Sequence, residues 1–96
     1  MIDDAKHLIL ICGPTELGVP LGDVILETTN SNRVVLTNES DSIESVNTCL
    51  LHCATLMQND VRRIVVANQF TTEDSLIPYR EMSERYKYQV HTVTVS

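Results

Sequence analysis

The chain has 96 residues, 43% of them apolar and 21% charged, with a formal net charge of −6. That length holds one domain with one core. The balance excludes a disordered chain and a membrane-spanning one, the longest apolar run being Leu8 to Cys12 against the roughly 18 residues a span requires. The acidic charge also excludes a general affinity for nucleic acid, which depends on lysine and arginine neutralising phosphates.

Three cysteines, an odd number, fit a reducing compartment better than a disulfide framework. The acidic start Met1-Ile2-Asp3-Asp4 does not read as a secretory leader. The expected location is therefore intracellular, cytoplasmic or nuclear. The expected ligand is another protein or a second copy of this chain, with no membrane contact.

His7 to Cys12 is apolar without polar alternation, the pattern of a strand buried on both faces in a parallel sheet. A glycine-punctuated loop, Gly13 to Gly18, should follow. Leu17, Leu21, Val24, Ile25 and Thr28 then recur at helical spacing, with Pro20 acceptable in the first turn. Turn formers from Thr28 to Asn32 end that helix. Arg33 to Thr37 is a short β-branched strand. Asp41 and Glu44 form an acidic capping box for a second helix, whose buried face is Ile43, Val46, Leu50, Cys53, Ala54 and Met57.

Arg62 to Asn68 contains another fully apolar strand core, Ile64-Val65-Val66-Ala67. Thr71 or Thr72 caps a third helix with Glu73 and Asp74 in its first turn, and Pro78 kinks or restarts it before it ends near Tyr86. Tyr88 to Val95 alternates valine with threonine at its end, a half-exposed pattern suited to a sheet edge. The order β-α-β-α-β-α-β with helix-length crossovers predicts an α/β fold, a three-layer α/β/α sandwich around a four-stranded parallel sheet.

Gly13 and Gly18 are separated by four residues, the glycine frame of the P-loop, G-x-x-x-x-G-K-[ST]. Its lysine and hydroxyl, which hold phosphate and magnesium, are replaced by Val19 and Pro20. Glu16 adds a carboxylate where phosphates would lie. The predicted loop thus has the spacing of a phosphate site without its chemistry.

The segment Ile64 to Val95 resembles polynucleotide-kinase-like P-loop kinases, through Asn68, Thr71, Thr72, Pro78, Tyr79, Tyr86, Tyr88 and Val90 in order and spacing. With the glycine frame and the Arg33 to Thr37 strand, the resemblance covers nearly the whole chain. It implies strand order 2-3-1-4, and it places Ala67 where such kinases carry a magnesium-organising aspartate. Glu39 or Asp41 would fall near the acidic residue that acts on the substrate hydroxyl. The lid and the arginine-bearing region of such kinases would lie beyond Ser96, so the resemblance implies a domain excised from a longer protein. Taken together it implies an inactive kinase-like domain, without cofactor, kept for protein association or scaffolding, with a vestigial loop at Gly13, Gly18, Val19, Pro20 and Ala67. An RNA-related complex is a further implication of that ancestry.

Other constellations suggest other chemistries. Cys12, at a strand end before a helix, resembles the nucleophile of phosphocysteine-carrying sugar-transport domains, for which the strand order would be 2-1-3-4; the following loop supplies Thr15 but no arginine. Cys49, His52 and Cys53 share one side of a helix and are of zinc-ligand type, although buried cysteines are commonly core residues. His7 and His91 read as strand-flanking histidines, Arg62-Arg63 as a solvated turn, and Tyr79, Tyr86 and Tyr88 as packing residues that could alternatively stack on bases.

Overall fold

The first strand, β1 (His7–Cys12), is the axis of the computed structural model, which describes residues 5–27, 35–38, 40 and 42–96. Its side chains alternate between two packed layers. Leu8 and Leu10 face one layer, Ile9 and Ile11 the other, so a continuous apolar run is what this position requires. β2 (Val35–Leu36), β3 (Arg63–Asn68) and β4 (Gln89–Thr94) complete a four-stranded sheet in the order β2-β3-β1-β4. All three pairings are parallel, with Ile9 opposite Val65 on one side and His91 on the other. The α/β class and the order 2-3-1-4 are as expected. The order 2-1-3-4, which the phosphocysteine reading required, is not found.

α1 (Thr15–Glu27) covers one face, where Ile9, Ile11, Leu26, Val65 and Ala67 form the core. α2 (Ile43–Gln58) and α3 (Ile77–Tyr86) cover the other, burying Leu8, Leu10, Cys53, Met57, Ile64 and Val66. Each of these side chains contributes about 1.5–3 kcal/mol of transfer free energy when fully buried, the cysteine less. Among the described residues no helix is long and apolar enough to cross a membrane.

Several local expectations change. α1 begins at Thr15, with the Pro14 carbonyl accepting from the Leu17 and Gly18 N–H groups at 3.0 Å, so the loop shrinks to Gly13-Pro14. Gly18, Val19 and Pro20 therefore lie inside a helix. The physical reason is packing. A Cβ on Gly18 would stand 3.1 Å from Ile11 and 3.4 Å from Ala67, and one on Gly22 only 2.9 Å from Val35, so the two glycines let the helix backbone settle on the sheet.

Ser42 caps α2, accepting from the Ser45 N–H at 3.2 Å, one residue later than the expected cap; Asp41 and Glu39 fall outside the described residues, as does the stretch 28–34. Ile43, expected on the buried face, is 79% exposed, standing as the first residue of α2 with no preceding helical turn beside it. Thr72 precedes only a 3-10 turn, Glu73–Ser75, and Pro78 sits in the first turn of α3, where its missing donor costs nothing. Pro78 thus restarts the helix rather than bending it.

Candidate functional site

The connection after β1 passes to the α1 face and the connection after β3 to the α3 face. Their carboxyl ends therefore diverge, and such a switch point is where open parallel sheets bind ligands. A crevice of about 730 Å³ opens there, lined by Thr15 of α1, Asn38 after β2, Asn68 at the end of β3, Phe70 beyond it, and Tyr79 of α3. Among the described residues its lining carries one charged side chain, the carboxylate of Asp74.

Asn68, 4% exposed, anchors the floor. Its Oδ1 accepts from the Asn38 N–H at 2.6 Å and from Thr37 Oγ1 at 3.2 Å. Its Nδ2 points to Cys49 Sγ at 4.0 Å, and the Tyr79 hydroxyl donates to the same sulfur at 3.2 Å. One carboxamide thus ties the residues after β2 to α2, and Cys49 passes the link on to Tyr79 of α3. The Asn38 Oδ1 is buried without a donor among the described residues. Phe70 adopts φ 48°, unusual for a side chain without a short polar group, and its ring meets Tyr79 edge-on at 5.7 Å.

The Gly13 turn does not open as a phosphate cradle. Gly13 has φ 137°, and a Cβ there would stand 2.2 Å from the Val95 carbonyl oxygen, so the chain leaving β4 fills the space above it. Ala67 faces α1 beneath Gly18, away from the crevice. Glu16 is exposed on α1, and Thr15 alone of that stretch reaches the crevice wall.

Cys12 packs against the α2 and α3 layer rather than under the α1 N-terminus. Burial raises its pKa, the Glu73 carboxylate adds to that, and Arg80 opposes it. This is the wrong direction for a nucleophilic thiolate at neutral pH. Cys49 and Cys53 are buried in the core while His52 is exposed, and among the described residues no group of three His, Cys, Asp or Glu side chains could hold a metal ion.

His7 Nδ1 and His91 Nε2 lie 2.9 Å apart on the α1 face, one imidazole against the other. Arg62 and Arg63 stand at the amino end of β3, the opposite end of the sheet from the crevice. The tyrosines are structural: Tyr79 donates to Cys49, Tyr86 accepts from Gln58 Nε2 at 3.0 Å, and Tyr88 donates to the Val61 carbonyl with Lys6 Nζ 5.0 Å above its ring.

Asn68 could be found from sequence by its place at the end of an apolar strand. Nothing in the sequence marks Asn38 or Phe70, whose roles arise from a neighbouring strand end and a left-handed backbone. Compared with protein-family models, characterised proteins and solved structures, the chain gives no match in any of the three.

Proposed function

We propose that this is a non-catalytic α/β domain of kinase-like topology that works by protein association inside the cell. The observation that carries the reading is β4, an edge strand of six residues, Gln89–Thr94, with no charged side chain and no proline or bulge to guard it. An unpaired edge of that kind is a template for another chain, and natural proteins ordinarily block such edges when they are not used.

Two further observations support it. The 2-3-1-4 order agrees with the kinase-like resemblance, and among the described residues the crevice lining offers Asp74 and no cation to a triphosphate. Phosphoryl transfer depends on positioning and on positive charge around the phosphates. The replacement of the P-loop lysine, hydroxyl and magnesium-site aspartate by Val19, Pro20 and Ala67 is consistent with an abandoned activity.

Calorimetric titration with Mg-ATP is the test. The expected result is no measurable heat of binding at millimolar nucleotide. Micromolar binding accompanied by phosphoryl transfer to any acceptor would overturn the reading.

A further inference from the structure

Resting on the association reading, we propose that the partner of β4 is a second copy of this chain, paired antiparallel about a two-fold axis at Thr92. Two four-stranded sheets would then become one continuous sheet.

The register follows from which backbone groups of β4 have no partner among the described residues. The Gln89 N–H donates to the Lys6 carbonyl and the Val95 N–H to the Cys12 carbonyl, both at 2.8 Å. Backbone direction alternates along a strand, so Gln89, His91, Val93 and Val95 turn their N–H and C=O toward β1. Val90, Thr92 and Thr94 turn theirs outward along the open edge.

These three positions are symmetric about Thr92. Placing Thr92 opposite itself also sets Val90 opposite Thr94 of the second copy, and Thr94 opposite Val90, so each outward donor meets an outward acceptor. A slip of two residues in either direction leaves one of the three positions without a partner inside the strand. A slip of one residue would put the wrong side chains on each face.

The side chains suit that arrangement. No residue from Gln89 to Ser96 is charged, although the chain carries 7 cationic and 13 anionic side chains elsewhere. Like charges therefore do not face each other at the axis, where they would be destabilising. Thr92 and Thr94 are exposed, and a threonine pair is a favourable cross-strand match. On the other face His91 would stand opposite Val93, and the half-buried Val93 and Val95, which already extend the α1-side core to the edge, would continue it across the junction. β2, the opposite edge, offers only two described strand residues.

Sedimentation equilibrium on the full chain and three variants tests this. Thr92→Pro removes an outward N–H that the subunit itself does not use, and proline is accepted on edge strands with that side facing solvent. Thr92→Lys puts like charges face to face at the axis. Each should raise the dimer dissociation constant by about tenfold or more while leaving the circular dichroism spectrum and thermal midpoint of the subunit unchanged. Thr92→Cys should form an intersubunit disulfide on mild oxidation, because hydrogen-bonded antiparallel pairs hold their Cα atoms at about 5.5 Å, within disulfide reach. Gln89→Cys, far from its own copy in this register, should not.

A wild-type chain that stays monomeric at every concentration reached would overturn the inference. So would a dimer that persists in both charge and proline variants, or cross-linking at position 89 and not at 92. Those results leave association with a different protein standing, whereas phosphoryl transfer from Mg-ATP removes the association reading itself.

Discussion

Gly13 shows how one residue can be conspicuous in a sequence for a reason that only the packed chain supplies. The turn it makes is stitched on both sides: its N–H donates to the Asn68 carbonyl at 3.2 Å, and the Val95 N–H donates to the Cys12 carbonyl at 2.8 Å. Its φ of 137° belongs to glycine, and a methyl group would strike the Val95 carbonyl oxygen at 2.2 Å and its Cγ2 at 2.9 Å. The backbone conformation alone costs a non-glycine residue about 1–3 kcal/mol, and the displacement of Val95 adds to it. Gly13→Ala should therefore lower the unfolding free energy by about 3 kcal/mol or more, read as a fall in urea midpoint at unchanged slope. A loss below about 1 kcal/mol would mean that the end of β4 yields freely. The glycine was legible as a special position. The chemistry first attached to it, access for a phosphate, gives way to the close crossing of another strand's backbone.

At the scale of elements, the strands were the most legible parts. The centres of β1 and β3 are apolar without interruption because both faces are covered, and β4 alternates because it lies at the edge, so pattern and position agree. The start of α1 was not legible, since an isolated glycine is ordinarily a loop signal and Gly18 is instead a packing residue one helical turn before Gly22. Moving the helix start to Thr15 moves Pro20 from the first turn into the second. There its absent N–H leaves the Glu16 carbonyl without its helical partner, and both residues are exposed. Because the ring is exposed, Pro20→Ala should stabilise the domain by about 1–3 kcal/mol in denaturant unfolding. An unchanged or lower midpoint would show that α1 needs the proline to fit the sheet. The crevice was half legible: Asn68 follows from its strand, but the convergence of Asn38 and Cys49 on it, and of Tyr79 on Cys49, depends on segments distant in sequence.

The whole molecule is divided by its sheet into two chemically unlike halves. The α1 side holds Ile9, Ile11, Leu26, Val65 and Ala67, none of which titrates. The α2 and α3 side holds Cys53, Tyr79 and Tyr88 among its buried residues. Burial, with a further push from Cys49, raises the Cys53 thiol from 9.0 to about 12. Burial first, and then the Asp60 carboxylate and Cys53, raise the Tyr88 phenol from 10.0 to about 12. Tyr79 is driven higher still, by burial and by its hydrogen bond to Cys49. In each case the folded state keeps a proton that the unfolded chain releases sooner. The stabilisation is therefore complete below the unfolded pKa and is lost as pH rises toward the folded one. Unfolding free energy should be flat up to about pH 9, where Cys53 begins to ionise in the unfolded chain. It should then fall by up to about 1.4 kcal/mol per pH unit for each group engaged, more steeply once the tyrosines join. Cys53→Ala should make the fall above about pH 9 shallower, with Cys12 still contributing there and Tyr88 taking over near pH 10, while costing some neutral-pH stability through the cavity it leaves. Urea midpoints measured from neutral to strongly alkaline pH check both parts. A wild-type curve that stays level through that range would mean these thiol and phenol groups ionise without opening the α2 and α3 layer.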